Sequence, residues 1–575
     1  MSALPPCQLS LSYDHGTGSE RLIGRTLGCH FDLVVAQDRG REALVSCHQR
    51  VRLTYAQLGE RVDLFARGLL KLGIEAGDRV GIWSANNIEW VITQLATAKI
   101  GAILVNINPA YRTSELEYAL RQSGVQLLVL TSGFKGGEYL AMIHELAPEL
   151  IHRELKNPAP RLPDLRSLVV IDASHRKLEG EAINFEAVES LGVEVPPSLL
   201  EQRSQCLQFD DPINIQYTSG TTGFPKGVTL SHHNLLNNSL CAAQAMGISP
   251  SSRFCVPMPF YHCGGMVLCT LATLLSGGTL VIPSASFDAE TVLGAIDRER
   301  CTHLAGVPTM FIAELEHPRL SEFDLSSLSG GFMAGAPCPV QLMRQVADRL
   351  NARNIVIIYG QTEASPVITT TTTNDSLELR ATTVGRVIPH LELKVVDPVN
   401  GQVVPLGSQG EICARGYAVM LGYWQNPAAT KESIDPAGWL HTGDLGTVNA
   451  DGYVNITGRK KDMIIRGGEN IYPREVEEVL HGHPAVAQAQ VFGVPDDRLG
   501  EEVALWLQLK QDAATDPEEI RAWLRARVAH FKVPRYVKIV TEYPMTVTGK
   551  VQKFAMREEM IRELGLEALA KIQTA

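Results

Sequence analysis

The sequence has no C-x-x-C pair and no cysteine–histidine cluster at zinc spacing among its 11 cysteines and 16 histidines. That excludes zinc ribbons, zinc fingers and a thioredoxin-like redox centre. It also lacks a basic excess: 52 Lys and Arg stand against 63 Asp and Glu, a net charge of -11, so the chain as a whole is not a nucleic-acid binder. A local basic spot, Arg459-Lys460-Lys461, needs its own explanation. The first residues, "MSALPPCQLSLSYDHG", lack a basic start and an apolar core, so no secretory signal is expected. The last, "KIQTA", carry no peroxisomal or endoplasmic-reticulum address. Charge is missing from "GGMVLCTLATLLSGGTLVI" (264–282), a run long enough to span a bilayer. Ser276-Gly277-Gly278 interrupts it, so a buried helix, turn and strand are expected and no transmembrane segment. Cys263, Cys269 and Cys301 lie in apolar surroundings, which predicts buried reduced thiols and a cytoplasmic location.

What is present is ordinary globular composition in a chain of 575 residues, too long for one core, since cores stop growing near about 250–300 residues. Residues 79–109 read as strand, helix, strand: Val80 to Trp83, a helix capped by Asn86 or Asn87 and running to about Lys99, then Ala102 to Val105. Residues 253–283 repeat that layout and end on Thr279 to Ile282. Two such units predict parallel sheets built from βαβ elements. From about 391 to 457 short β-runs alternate with Asn-Gly and Gly-rich turns, which suits an antiparallel barrel or meander. After "TGRKKD" the pattern becomes helix, strand and amphipathic helix, a small α+β domain. The predicted architecture is therefore α/β. A large N-terminal domain (1–457) holds two βαβ-type subdomains and a small β-barrel. A hinge (458–462) joins it to a mobile α+β domain (463–575).

One stretch carries chemistry. "YTSGTTGFPKG" (217–227) holds three glycines, four aliphatic hydroxyls, one Pro and one Lys. Gly220, Gly223 and Gly227 allow close backbone approach, Thr218, Ser219, Thr221 and Thr222 add hydroxyl donors, and Lys226 adds a cation. Such a run forms a nest for phosphate oxygens. It is not a Walker A loop, because Pro225-Lys226-Gly227 stands where that pattern needs Gly-Lys-Ser/Thr.

Six further stretches follow: "FYH" (260–262), "GAP" (335–337), "YGQTE" (359–363), "WLHTGD" (439–444), "GRKKDMIIRGGENIYP" (458–473) and "PMTVTGKVQK" (544–553). In this order the seven resemble the signatures of the adenylate-forming, AMP-binding superfamily. "RGYAVMLGYW" with "GRKKDMIIRGGENIYP" is most similar to its acyl-CoA synthetase branch acting on medium-chain fatty acids. Taken singly, several have plainer readings. The loop could be a surface turn, Glu363 a solvated charge, Asp444 a turn residue, His262 a core histidine and Lys550 an exposed lysine.

The resemblance implies an ATP-dependent ligase. It would convert a hydrophobic carboxylic acid, of medium length or branched, to acyl-AMP with release of pyrophosphate, and then to acyl-CoA with release of AMP. Its substrates and cofactors would be ATP, Mg²⁺ and coenzyme A. Two alternatives stay open: loading of a carrier-protein thiol in trans, or a non-catalytic ATP/AMP-binding regulator. Homo-oligomerisation is left open. The resemblance implies that Thr218, Ser219, Gly220, Thr221, Thr222, Gly223, Phe224, Pro225 and Lys226 hold the β- and γ-phosphates. Tyr359 would stack on adenine beside Gly360 and Gln361, with Gly335, Ala336 and Pro337 as a wall. Thr362 would contact the α-phosphate and Glu363 would bind Mg²⁺. Asp444 and Arg459 would hold the ribose, His262 would shape acyl and thiol access, and Lys550 would bridge the attacking carboxylate and the α-phosphate. Lys461 would be the hinge, and Gly467, Gly468 and Glu469 an edge for the pantetheine arm. Gly264, Gly265, Gly306, Gly331 and Ala334 are small and predict room for an acyl chain.

Overall fold

Ile103–Asn106 and Leu127–Leu130 are buried at every residue, as strands covered on both faces must be. They belong to an eight-stranded sheet in the order Ala182–Asn184, Ser167–Val170, Leu127–Leu130, Arg79–Trp83, Ile103–Asn106, Pro212–Thr218, Lys226–Ser231, Gly422–Tyr423. The first six run parallel and the last two antiparallel. A nine-stranded sheet has a parallel centre made of Glu42–Ser46, Thr279–Ile282, Arg253–Cys255, His303–Gly306, Gly330–Ala334 and Asn354–Gly360. Both sheets lie mainly in a larger compact unit, His15–Leu393 with Ala414–Leu440. These relations come from a computed structural model that describes residues 10–150, 159–171, 182–218, 225–335, 338, 340–467, 469–511, 513–545 and 551–570.

The two expected βαβ units are present. Arg79–Trp83 pairs parallel with Ile103–Asn106, and Arg253–Cys255 with Thr279–Ile282. The first crossover helix, Ile88–Ile100, is buried along its whole length. Asn87 caps it by accepting the Trp90 N–H at 2.8 Å, and Gly101 ends it in the left-handed region at φ 76°. The second crossover begins as a π-wound turn, Gly264–Leu271, and continues as Ala272–Leu274. Thr270 donates to Gln94 Oε1 at 3.1 Å, and Trp90 packs on Phe260 at 5.5 Å, so the crossovers of the two sheets are joined. The uncharged run 264–282 is thus a buried helix, turn and strand. Among the described residues no helix is long and apolar enough to cross a membrane.

The smaller unit takes residues up to Asp14, Lys394–Cys413 and His441 onward, and residues 458–462 lie inside it. The turn-rich stretch supplies Leu391–Val396, Gly410–Gly416, Leu440–Val448 and Val454–Arg459 to a five-stranded sheet. A second five-stranded sheet, from Ile464 to Ile539, packs Val491 and Leu505 against Val476 and Leu480 of helix Pro473–His481 and Ile520 and Leu524 of helix Pro517–Arg525. The architecture is α/β with a large N-terminal and a small C-terminal part, as expected.

Three of the four glycines read as room for an acyl chain face protein at the place a side chain would take, while Gly264 meets only the Met258 and His262 side chains, at 3.1 and 3.4 Å. A Cβ on Gly265 would lie 2.1 Å from the Pro259 carbonyl oxygen, on Gly306 2.8 Å from the Phe311 ring, and on Gly331 1.9 Å from the Leu304 carbonyl oxygen. They let backbone and core approach, so their smallness does not measure a substrate slot. Gly331 also has φ 130°, a conformation L side chains avoid. Gly331→Ala should therefore cost about 3 kcal/mol or more and lower the melting temperature by several degrees. Gly401→Ala, at φ 73° with open space around it, should cost only about 1 kcal/mol. Thermal melts of both test this; equal shifts would mean the Leu304 contact relaxes.

Candidate active site

The phosphate-loop candidate is anchored at both ends. Strand Pro212–Thr218 enters it, strand Lys226–Ser231 leaves it, and their register sets Thr218 opposite Lys226. The Tyr118 hydroxyl donates to the Pro225 carbonyl at 3.0 Å, and the Tyr217 hydroxyl lies 2.6 Å from Gln122 Oε1. Ser219, Gly220, Thr221, Thr222, Gly223 and Phe224 lie outside the described residues. Lys226 extends its ammonium over the Tyr423 ring, 5.1 Å from the centroid.

The second component arrives from the other sheet. Strand Asn354–Gly360 presents Tyr359 and Gly360 at its C-terminal end, and a single 3₁₀ turn, Thr362–Ala364, follows Gln361. A Cβ on Gly360 would lie 1.8 Å from the Pro366 carbonyl oxygen, so the chain folds back onto this residue. Glu363 Oε1 accepts from the Tyr423 hydroxyl at 3.0 Å and from the Thr218 hydroxyl at 3.4 Å. Its backbone carbonyl accepts the Met420 N–H at 2.9 Å. Thr218, Lys226, Glu363 and Tyr423 thus form one cluster of a carboxylate, two hydroxyls and a cation. Both side-chain bonds fall on Oε1 among the described residues, and a hard oxygen donor of this kind fits a magnesium ion.

His262 belongs to the same region. Asn86 clamps its turn, giving Nδ2–H to the Met258 carbonyl and taking the Phe260 N–H, both at 2.8 Å. Asn106 donates to the Tyr261 carbonyl at 3.1 Å and accepts from Asn214 at 3.0 Å. His262 Nδ1 accepts the Gly264 N–H at 3.2 Å, which leaves the neutral ring's proton on Nε2. The buried Cys263 thiol lies 3.7 Å from that ring and 3.3 Å from the Thr362 hydroxyl, so His262 and Thr362 share a contact. Gly335 stands after strand Gly330–Ala334 at φ 84°, while Ala336 and Pro337 lie outside the described residues.

In the smaller unit Asp444 is buried and pairs across its hairpin with Arg459, whose Nε lies 3.0 Å from Asp444 Oδ1. The turn before it is held from below. Thr442 donates to the Ile412 carbonyl at 2.7 Å and accepts the Asp444 N–H at 3.1 Å. Glu411, buried, accepts the Gly443 N–H at 3.2 Å and lies 3.3 Å from His441 Nδ1 and 3.5 Å from Lys460 Nζ. Burial works against its charge, but the bond to His441, the Lys460 charge and the Gly443 N–H outweigh it and hold its pKa below the ordinary 4.5. Lys461 is exposed on the short 3₁₀ segment Lys460–Asp462. Gly467 turns at φ 59° and leads to the exposed Glu469, and Gly468 lies outside the described residues. So does Lys550, although Met545 and Val551 on either side of its loop pair as an antiparallel bridge.

Tyr423, Glu411, Asn106 and Asn214 escaped the sequence reading, which names Cys263 only as a buried thiol and Asn86 only as a candidate cap. Only "RGYAVMLGYW" and the cap position Asn86 or Asn87 gave a signal, and the structure assigns capping to Asn87 and the clamp to Asn86.

Comparison with known proteins agrees with this geometry. The profile of the AMP-binding enzyme family matches residues 31–424, and that of the AMP-binding enzyme C-terminal domain matches 475–550. The human mitochondrial medium-chain acyl-CoA ligase ACSF2 is 44% identical over 563 residues, 97% of this chain and 91% of that one. Among solved structures, ATP-bound MatB from Rhodopseudomonas palustris superposes with a TM-score of 0.80 at 27% identity, covering 93% of this chain and 99% of its own. A Mycobacterium tuberculosis fatty acyl CoA synthetase superposes at 0.70 with 27% identity, covering 93% and 98%.

Glu411→Ala should loosen the Thr442-Gly443-Asp444 turn and weaken AMP binding about tenfold, while Glu411→Gln, still able to accept the Gly443 N–H, should recover most of it. Calorimetric titration with AMP measures this; parent-like affinity in the alanine variant would remove Glu411 from the site. Because its folded pKa is depressed, the stabilisation Glu411 supplies is complete above pH 4.5 and lost as pH falls through the lower folded value.

Proposed function

Because the chain belongs to the AMP-binding enzyme family, we propose that it is an AMP-forming acyl-CoA synthetase acting on a hydrophobic acid, of medium length or branched. The observation that carries this is the cluster of Thr218, Lys226 and Glu363 at the mouth of the phosphate loop, in a chain matched along nearly its whole length by acyl-CoA ligases.

A carboxylate is a poor electrophile. In the first step its oxygen attacks the α-phosphorus of ATP, pyrophosphate leaves, and a mixed anhydride forms. A thiolate then attacks the acyl carbon, and AMP leaves. Negative charge grows on the phosphates in the first step, so fixed donors and cations lower its barrier. Thr218 and Lys226, with the loop Ser219–Pro225 between them, hold the β- and γ-phosphates, and Thr362 contacts the α-phosphate. Glu363 holds Mg²⁺, which when bound neutralises phosphate charge. Tyr359, Gly360 and Gln361 with Gly335, Ala336 and Pro337 cradle adenine, and Asp444 with Arg459 takes the ribose hydroxyls. His262 governs acyl and thiol access, and Lys550 bridges the acid and the α-phosphate. Gly467, Gly468 and Glu469 offer an edge to the pantetheine arm of CoA. Residues 458–462 form a hinge, centred on Lys461, between an adenylation domain and a mobile C-terminal domain. The free thiols, among them the buried Cys263, Cys269 and Cys301, suit a reducing compartment such as the cytoplasm.

The reading is tested by CoA-dependent AMP release across straight acids from acetate to palmitate and branched acids of similar length. A maximum at medium length is expected; no AMP release with any acid would end the enzyme reading. Lys550→Ala should lose about 10²–10³ in adenylation, while pre-made acyl-adenylate plus CoA restores thioester formation. Equal losses in both half-reactions would reject the role given to Lys550. Lys461→Pro fixes φ near about -65° and should separate the steps. A pyrophosphate burst without steady acyl-CoA turnover is the expected result, and normal turnover would reject the hinge.

A further inference from the structure

We propose that Tyr423 is a positioning residue that aims both Glu363 and Lys226 at the nucleotide phosphates. Its hydroxyl fixes the carboxylate and its ring seats the ammonium. The proposal rests on the reading of Glu363 as the magnesium ligand.

The backbone around Tyr423 is tied to both partners. Gly422–Tyr423 is an edge strand antiparallel to Lys226–Ser231, with Val228 opposite Tyr423. The Trp424 N–H donates to the Gly227 carbonyl at 2.7 Å and the Leu421 N–H to the Thr229 carbonyl at 3.0 Å. The outgoing limb of the phosphate loop and this segment therefore move as one ribbon. The same segment grips the Glu363 turn through the Met420 N–H. The Tyr423 N–H donates to Thr430 Oγ1 at 2.9 Å. Gly422, at φ 143°, lets Thr430 pack where a Cβ would lie 2.9 Å from its methyl group. Tyr423 is thus held on a rigid strand.

The side chain then performs two tasks with separable atoms. The hydroxyl donates to Glu363 Oε1. A phenol with its ordinary pKa of about 10 is protonated at neutral pH, so the group serves as a donor there. The ring face attracts the Lys226 ammonium by its quadrupole. Without the ring, Lys226 is a long flexible stem that loses its cation–π contact; without the hydroxyl, Glu363 Oε1 keeps, among the described residues, the longer bond from Thr218.

Tyr423→Phe keeps the ring and removes the donor, and Tyr423→Leu removes both. Calorimetry would measure the affinity of parent, Tyr423→Phe and Tyr423→Leu for ATP with magnesium, ATP with EDTA, and AMP. In Tyr423→Phe the gain in affinity that magnesium confers on ATP should shrink about fivefold, with ATP in EDTA and AMP unchanged. In Tyr423→Leu, ATP in EDTA should also weaken by about fivefold, through Lys226. AMP, lacking β- and γ-phosphates, should bind all three proteins equally, which also shows that they are folded. In a Glu363→Gln background, Tyr423→Phe should have no further effect on the magnesium gain. A parent-like magnesium gain in Tyr423→Phe overturns the proposal and leaves the Glu363 reading standing. A parent that binds ATP equally with magnesium or EDTA overturns both. Loss of AMP affinity in Tyr423→Phe alone also overturns it, since a general disturbance of the site would then explain the result.

Discussion

One half-buried carboxylate ties the two sheets of the larger unit together. Glu363 hangs from the end of the nine-stranded sheet, and the hydroxyls that reach its Oε1 come from Thr218 and Tyr423 of the eight-stranded sheet. A carboxylate this far out of water needs donors, and here the donors flank the loop that would carry phosphate. Each sheet alone could bury its strands. The contact at Glu363 makes their relative placement matter for chemistry, because moving either sheet would leave the charge short of partners.

The same logic explains where the functional residues stand. Thr218, Tyr359, Gly335 and the turn bearing His262 all stand at or just after the C-terminal ends of strands that run parallel to at least one neighbour. In open α/β sheets this is where ligands bind, since loops converge there while helices cover the faces. The buried amides of Asn86, Asn106 and Asn214 convert that topology into fixed geometry. Asn214 sits inside the strand that leads to Thr218, Asn106 accepts from it, and Asn106 in turn holds the Tyr261 carbonyl beside His262. An amide with both a donor and an acceptor can link two elements in this way, which an apolar residue of equal volume cannot.

How much of this was legible in the sequence depends on the range of the interaction. Local rules located the crossover helix and its flanking strands within a residue or two, because capping, left-handed glycine and apolar runs are encoded next to where they act. Thr279 to Ile282 fell on the observed strand, and the break at Ser276-Gly277-Gly278 correctly argued against a membrane span. The motifs named Thr218, Lys226 and Glu363 but not what joins them. Thr218 and Glu363 are 145 positions apart, and Tyr423 is 60 beyond Glu363, so no periodicity or spacing can pair them. The glycines failed for a related reason. A missing side chain is equally a space for a ligand or a space for the chain itself, and at Gly265, Gly306 and Gly331 the chain occupies it.

In the smaller unit a candidate site residue stands on a braced strand next to a single short turn. Asp444 lies in a continuous strand, and its turn is braced by Glu411, Thr442 and the Ile412 carbonyl. A few residues on, Lys460–Asp462 form a single short 3₁₀ segment, after which the Met463 N–H reaches back to the Arg459 carbonyl at 3.1 Å, the four-residue span of an α-turn. A lone turn of this kind has little of the cooperativity that stabilises a longer helix. Within it Lys461 is exposed. Rearranging so short a turn would break few backbone hydrogen bonds and would leave the bracing of the Asp444 strand untouched. The hinge proposed for residues 458–462 would need this combination: a braced strand carrying Asp444 next to a short turn with little cooperative hydrogen bonding.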